Sequence, residues 1–516
     1  MGLVDFLITT FIILFLNIKF DIFGQSLVIL LGFVSIKYIY AELGSDALGI
    51  IYFSLMLSAV FTAALDMGLS KTTIREVAAY NDSEPKYIIK LSQTFSLFYW
   101  LAYVTIVLLF ILLLPFIVNS WINLTTMELE QAYDILLIIG STSLLAIPKI
   151  YLTSICIGMQ RIDANNIIDV TFSIIQQFGM AMFLINGKGI YIVAYWLAIT
   201  SILKIFIYMV FVSKILSIEA LIPKFSVSVI KRIKDYTVKL MWVSLLLVVH
   251  KQIDKVLISK FLPIANLGIY MFAFTSISKA SIITGSIAQA AFPYFSDGEK
   301  NHKKESLKKY FQLQDILIYG TVPVFILVFF LSKPVFTFLL DEEMSELLQL
   351  PVLFLTLSFY FNATLRMMST YVSAIGKPEY LIDLNKFLLI FSIPISIILI
   401  YKLGMLGAAI SWVYYYTLGA MYIVPRVYRA EFNYSPYIWF RGVGTVIILI
   451  CLIYVPSWYM AHVFFPESLV SLIFFYSIST VIYSIIAINL VGQELQKSII
   501  NNLPIMRPLL VAHKRG

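Results

Sequence analysis

Long apolar runs alternate along the chain with short polar connections. Fourteen runs have the roughly 20 apolar residues that carry a helix across a bilayer core. They fall near 22–41, 47–66, 91–118, 132–155, 166–186, 189–212, 240–259, 267–292, 312–332, 347–374, 380–402, 405–428, 438–461 and 468–491. They are too long for strands and lack the apolar/polar alternation of a membrane barrel. Hydrocarbon leaves backbone groups no outside partner, so a helical bundle remains. The expected fold class is an all-α polytopic membrane protein with about fourteen transmembrane helices. A further apolar stretch, Leu3 to Ile18, is broken by Asp5 and followed by Lys19 and Asp21. No basic segment precedes it and no small-residue cleavage site follows, unlike a signal peptide. It reads as an interfacial helix continuous with the first span, and an additional span is the competing reading.

The polar connections set the orientation, because Lys and Arg accumulate in cytoplasmic loops. The second connection holds Lys71, Arg75, Lys86 and Lys90, and the sixth holds Lys214, Lys224, Lys231, Arg232, Lys234 and Lys239. The eighth holds Lys300, Lys303, Lys304, Lys308 and Lys309, the twelfth Arg426 and Arg429, and the tail Lys497, Arg507, Lys514 and Arg515. Odd-numbered connections are nearly bare of cations; the ninth has Asp341, Glu342, Glu343 and Glu346 against Lys333. Even connections and both termini are therefore expected in the cytoplasm of a cell-membrane protein. Asn123-Leu124-Thr125 is a glycosylation sequon on the expected outer side.

Composition agrees. The 516 residues are 60% hydrophobic and 13% charged, with a formal net charge of +8 and a mean hydropathy of +0.91. Soluble domains carry about 25% charged residues, so soluble enzymes, disordered scaffolds and nucleic-acid-binding modules are excluded. The positive balance reports orientation. Cys156 and Cys451 lie in apolar stretches and read as small hydrophobes.

Two halves repeat. Leu48-Gly49-Ile50-Ile51-Tyr52 matches Leu267-Gly268-Ile269-Tyr270. Gly158-Met159-Gln160-Arg161 with Ile167-Ile168-Asp169 matches Gly376-Lys377-Pro378-Glu379 with Leu381-Ile382-Asp383, and Gly187-Lys188-Gly189-Ile190 matches Gly404-Met405-Leu406-Gly407. The expected organisation is an interfacial helix (1–21), a six-helix half (22–213), a basic amphipathic connector (214–239), a second six-helix half (240–430), two additional helices (431–492) and a cytoplasmic tail (493–516). Six spans per half make the repeats parallel, an arrangement found in transporters that alternate access.

Further motifs point to a family. Tyr40-Ala41-Glu42-Leu43-Gly44, Leu48 to Tyr52, Leu65-Asp66-Met67-Gly68-Leu69-Ser70 and Arg75-Glu76 resemble the opening of polysaccharide flippases, the Wzx-like members of the multidrug/oligosaccharidyl-lipid/polysaccharide superfamily. Gln252-Ile253-Asp254-Lys255, Pro293-Tyr294-Phe295-Ser296 and Gly404 to Ala409 continue the likeness in the second half. The resemblance covers nearly the whole chain through short motifs. It implies a flippase fold that moves lipid-pyrophosphate-linked oligosaccharide to the outer leaflet, with membrane lipids and glycan-assembly enzymes as partners.

Charges within the spans carry the candidate chemistry, because each costs about 2.5–3.5 kcal/mol at the bilayer centre on the insertion scale. Lys37, Lys251, Lys255, Lys279 and Arg366 are the candidate cations of a cleft for an anionic headgroup. Lys251, Asp254 and Lys255 share one helix face at i, i+3, i+4. Lys37 lies 218 residues before Lys255, close to the repeat offset. Snorkelling competes for Lys37 and Lys255. Asp169, Asp254 and Asp383 either couple ions or balance charge. Lys204 and Lys386 lie nearer the cytoplasmic ends of their spans and read more simply as topology residues. No catalytic motif, metal cluster, nucleotide loop or cofactor site is found. A lipid-linked oligosaccharide flippase therefore leads. Alternatives are a multidrug antiporter or peptidoglycan-precursor flippase of the same fold and, further off, a membrane glycosyltransferase or polymerase. Cation-exporting antiporters are expected to carry carboxylates in the cavity, whereas deep cations predominate here.

Overall fold

The computed structural model describes residues 24–66, 68–301, 303–465, 468–492 and 495–496. The apolar stretch Leu3 to Ile18 and nearly all of the tail lie outside them. The described residues are helical, and an isolated bridge pairs Asn123 with Pro263. Two compact units divide the chain at Ile269/Tyr270. The first holds α1 (Gly24–Leu43), α2 (Ser45–Asp66), α3 (Leu69–Tyr80), α4 (Pro85–Phe116), α5 (Leu129–Ser143), α6 (Ala146–Gly158), α7 (Ile162–Ile185), α8 (Ile190–Ile215) and α9 (Val227–Phe261). α10 (Ile264–Ser278) crosses the boundary. The second unit continues with α11 (Ser281–Asn301), α12 (Lys303–Asp315), α13 (Val322–Leu339), α14 (Glu342–Ala374), α15 (Glu379–Val427), α16 (Tyr437–Leu449), α17 (Val455–Phe464) and α18 (Leu469–Leu490).

Among the described residues, eleven helices (taken with their continuations) are long and apolar enough to cross a membrane, or twelve when the bent pair α10–α11 counts as one. The expected count of fourteen is not reproduced, and two elements account for the difference. α9 is not among the eleven: Lys239, Lys251, Asp254 and Lys255 bracket its apolar run. α15 is a single assigned helix of 49 residues, but at about 1.5 Å per residue it would span more than twice a ~30 Å hydrocarbon core. Gly404 has φ 59° and ψ −133°, a backbone open to glycine and strained for other residues. A Cβ on Gly407 would collide with the Leu399 carbonyl eight residues back, and Phe387 stacks on Tyr422 at 4.3 Å between centroids. The chain therefore reverses at Gly404. The arms 379–403 and 405–427 lie antiparallel, and the expected spans 380–402 and 405–428 fall on them.

In the first unit, α2 packs on α5, α6 and α9, while α8 covers α5 and α7. The approach of α2 to the start of α10 is set by two glycines. A Cβ on Gly268 would stand 2.7 Å from the Gly49 nitrogen and 2.9 Å from its Cα, and a Cβ on Gly49 would collide with the Ile264 carbonyl. Small residues permit such backbone contact between apolar helices, where packing replaces the hydrophobic driving force. These are the glycines of the first repeat match.

In the second unit, α14 is central and packs on α11, α13 and α15. A π-helical turn, Ile316–Gly320, lies between α12 and α13. Such turns disturb the helical ladder, and buried tyrosines supply hydrogen bonds here. Tyr360 donates to the Ile318 carbonyl at 3.0 Å, and Tyr483 on α18 donates to that of Tyr319 at 2.9 Å. Tyr476 donates to the Pro323 carbonyl at 2.9 Å. α18 is thus tied to the start of α13 and to the turn before it by tyrosine hydroxyls.

The repeat is visible in one turn of each unit. Met159, Gln160 and Arg161 donate their N–H groups to the carbonyls of Ile155, Ile157 and Cys156. Ile375, Gly376 and Lys377 donate to those of Tyr371, Ser373 and Val372. Gln160 and Gly376 both have positive φ, 57° and 75°. The backbone therefore pairs Gln160, two residues beyond Gly158, with Gly376.

Replacing Gly268 with Leu forces two backbones apart. Overpacking of this kind costs about 1–3 kcal/mol, so the thermal unfolding midpoint of the detergent-solubilised protein is expected to fall clearly. Gly444→Ala, where nothing lies within 4 Å, is expected to leave it in place.

Candidate functional site

The seventh-span cluster on α9 is largely self-neutralised. Lys255 Nζ donates to Asp254 Oδ1 at 3.0 Å and Oδ2 at 3.2 Å, and to the Lys251 carbonyl at 3.0 Å. Asp254 is 2% exposed and Lys255 4%. Burying a charge is tolerable when it is paired and hydrogen-bonded, and these two are. Lys251 is exposed, one residue after buried His250. Lys37 on α1 is half-buried and has a partner. It lies seven residues before Gly44, as Lys255 lies seven before Leu262; those two residues donate N–H groups to Tyr40 and Ile258 at the ends of α1 and α9.

Asp169 on α7 lies between two ammonium groups. Lys149 Nζ on α6 and Lys204 Nζ on α8 each stand 2.6 Å from Asp169 Oδ1. The Tyr208 ring lies 5.6 Å from Lys149 Nζ, and its hydroxyl donates to Asn165 Oδ1 at 2.8 Å. Lys149 was not among the sequence candidates, although it is the sole charge in the apolar run 144–157.

In the second unit the cations stand differently. Arg366 on α14 is half-buried, and its Nε is buried without a hydrogen-bond partner. Its Nη1 points at α11, where a Cβ on Gly285 would stand 3.4 Å away; the absent side chain leaves the guanidinium room. Lys279 is exposed in the break between α10 and α11, helices that bend by 45° there. Asp383 and Lys386 are exposed on the first arm of α15. Among the described residues, the side chains of Lys251, Lys279, Arg366, Asp383 and Lys386 form no ion pair. The structure thus joins Asp254 to Lys255, and Asp169 to Lys149 and Lys204. Arg366 is left without a carboxylate.

Two polar assemblies brace the first unit, and sequence patterns did not reveal either. Asp46, fully buried at the start of α2, accepts N–H bonds from Thr125 (2.7 Å), Thr126 (2.7 Å) and Met127 (3.1 Å), and hydroxyl bonds from Thr125 (2.9 Å) and Thr126 (3.3 Å). The same connection meets α9 and α10. Trp121 donates to Ser259 at 3.1 Å, Lys260 to the Ser120 carbonyl at 2.7 Å, and Ile264 to the Asn123 carbonyl at 2.8 Å. The sequon residues Asn123 and Thr125 are therefore both engaged.

The second assembly holds the start of α9. Val229 and Ile233, one turn apart, bury the apolar side of the basic amphipathic stretch. Arg232 forks onto Glu84 at 2.8 and 3.1 Å and lies between the rings of Tyr80 and Tyr87, 4.2 and 4.0 Å from their centroids. Tyr87 donates to Glu76 at 2.8 Å. Hydrogen bonding from Arg232 holds the Glu84 carboxyl below the usual glutamate range.

A bundle of apolar helices, with charges in it both paired and unpaired, defines a polytopic membrane protein. The family model for polysaccharide biosynthesis proteins matches residues 15–299, over half of the chain, and the chain belongs to that family. No curated protein matches. Among solved structures, the lipid II flippase MurJ in an inward closed conformation is similar at a TM-score of 0.63 and 16% identity, covering 90% of this chain and 98% of that one. An inward-facing multidrug resistance MATE family transporter of the MOP superfamily gives 0.62 and 13%, covering 79% and 98%. A MOP superfamily transporter from Pyrococcus furiosus, described as having a binding pocket of reverse polarity, gives 0.51 and 13%, covering 80% and 95%. The fold is shared with transporters and flippases.

Removing the Asp46 carboxylate strands several donors. Hydrogen bonds to charged groups are worth about 1.5–3 kcal/mol each, so Asp46→Ala is expected to cost at least about 3 kcal/mol, read as a lowered unfolding midpoint. The Glu84 contact has a definite pH sign. A depressed carboxyl contributes stability above its unfolded pKa and loses it as pH falls through the folded value. Hydrogen-exchange protection of residues 227–234 is expected to hold at neutral pH and to drop below about pH 4. Arg232→Ala should produce that loss already at neutral pH.

Proposed function

We propose that the protein flips a lipid-(pyro)phosphate-linked oligosaccharide from the cytoplasmic to the outer leaflet of the cell membrane, by alternating access, for polysaccharide or glycan biosynthesis. The observation that carries this reading is Arg366, a half-buried intramembrane guanidinium with a buried, unpartnered Nε. An unpaired charge is costly in hydrocarbon and persists where a ligand completes it. A guanidinium presents a planar fork that matches phosphate oxygens in two-point contact. Lys279, exposed in the same unit, is the second headgroup cation. Lys37, Lys251 and Lys255 are the further candidate cations of the first unit, and the charge of Lys255 is balanced by Asp254 in this conformation. Family membership supports a saccharide cargo. The basic even-numbered connections support cytoplasmic termini and loading from that side. The lipid tail would remain in the bilayer, so only the headgroup needs a polar path.

The test is a leaflet-exchange assay in proteoliposomes with a fluorescent polyprenyl-pyrophosphate oligosaccharide. Loss of a charge-assisted contact worth about 1.5–3 kcal/mol predicts roughly ten- to hundredfold slower flipping for Arg366→Ala, with a smaller loss for Arg366→Lys. Unchanged rates in both Arg366→Ala and Lys279→Ala would overturn the cationic site. Absence of wild-type flipping for every such lipid would overturn the reading itself.

A further inference from the structure

The cluster around Asp169 has more positive charge than its carboxylate can neutralise. Lys149 and Lys204 both approach the same oxygen, Oδ1, at 2.6 Å, so their nitrogens are no more than about 5 Å apart, well within the range where like charges repel strongly in a low dielectric. Each of the three side chains is only 22–33% exposed. Solvent screening is correspondingly limited. The groups come from three helices: Lys149 from α6, Asp169 from α7, and Lys204 from α8. Tyr208 on α8 borders the cluster, its hydroxyl donating to Asn165 and also lying in reach of Asp169, and Cys156 on α6 is buried. α1 packs on α7 through Gly24, beside Val170, and Ser35, which donates to the Gln177 carbonyl; between those contacts α1 has no titratable residue.

A carboxylate flanked by two ammonium groups can become neutral as a cluster by releasing one proton. The product is a lysine amine beside an intact lysine–carboxylate pair. Lysine changes protonation readily when buried beside another cation, whereas arginine does not. A salt bridge built only for stability would need one lysine.

We propose that Lys149, Asp169 and Lys204 form a proton-exchange site in the first unit, at which one lysine ammonium releases a proton to leave its amine while Asp169 stays ionised, and that this exchange couples transport to a proton gradient. The cluster shares no residue with the proposed headgroup cations Arg366 and Lys279. The exchange itself stands on the geometry of the first unit, and only its coupling to transport rests on the flippase reading.

Two measurements test it. The first needs no substrate. The full chain, carrying 15N-labelled lysine in lipid nanodiscs, is titrated by NMR, and the cluster signals are assigned by their loss in Lys149→Met and Lys204→Met. One cluster lysine is expected to lose its proton at a lower pH than the exposed lysines. The lysine left in each single variant, now paired one-to-one with Asp169, should return to the ordinary range. Ordinary titration of both lysines in the wild type would overturn the site. The second measurement compares flipping of the polyprenyl-pyrophosphate oligosaccharide with and without an imposed pH gradient. The wild-type rate should change severalfold. In the double variant Lys149→Arg/Lys204→Arg, in which neither cation can release a proton, the ratio should fall to one. Lys204→Met, whose remaining lysine is paired one-to-one with Asp169, serves as a second variant should the first fail to fold. An unaltered ratio in a folded variant, or no gradient response in the wild type, would overturn the coupling. Failure of the wild type to flip the probe under any condition would instead count against the flippase reading, leaving the titration to decide the exchange site.

Discussion

A chain immersed in hydrocarbon must satisfy its own polar groups, because the solvent offers none. The organisation of this protein follows from that constraint. Its backbone closes into helices. Where a helix breaks, as at the π-helical turn Ile316–Gly320, tyrosine hydroxyls from α14 and α18 reach the carbonyls of Ile318 and Tyr319. Where a carboxylate is fully buried, as at Asp46, five donors surround it. Where a lysine is buried, as at Lys255, an aspartate lies beside it. Against that background, Arg366 Nε, one of several buried polar atoms without a hydrogen-bond partner among the described residues, and the doubly approached oxygen of Asp169 stand out because the groups are charged. One lacks a partner, and the other has one cation too many.

Helix packing obeys a second consequence of the same medium. Burying one apolar side chain against another gains little over burying it in lipid, so close contact must come from small residues. Gly49 and Gly268 bring α2 and α10 into backbone contact. The large apolar side chains are left to face outward: Leu112 is 77% exposed and Val470 79%, values that would signal aggregation in water and here mark lipid contact.

Class was legible in the sequence because hydrocarbon imposes coarse, additive requirements of run length and low charge, and the family through its resemblance in short motifs such as Leu65 to Ser70. The span count was less legible, since it depends on local backbone choices. Gly404 reverses the chain without a polar loop, and α9 mixes a span with a cationic amphipathic stretch. The pairing of charges was least legible. Lys149 and Lys204 stand 55 positions apart and meet at Asp169 through the packing of α6, α7 and α8. Arg232 is one cation among many in its stretch until Tyr80, Tyr87 and Glu84 enclose it. Periodicity can place a residue on a helix face, but it cannot say which neighbouring helix supplies the partner.

The repeat shows how a sequence match can mislead at this level. The motifs ending in Asp169 and Asp383 look alike, but the hydrogen-bond register of the preceding turns pairs Gln160 with Gly376. Counted from that turn, Asp169 corresponds to Asn385, and Asp383 lies two positions earlier. Two residues rotate a side chain by about 200° around a helix of 3.6 residues per turn, enough to place it on a different face. Asp383 is accordingly exposed, while Asp169 is half-buried between lysines. On α14, the position matching Lys149 is Leu365, and Arg366 is one step beyond it, about 100° further round. The second unit therefore has a cation and a carboxylate near the places where the first unit pairs them, displaced so that they form no ion pair. A small register shift between halves separates two chemistries: a neutralisable cluster in one unit and an unneutralised cation in the other.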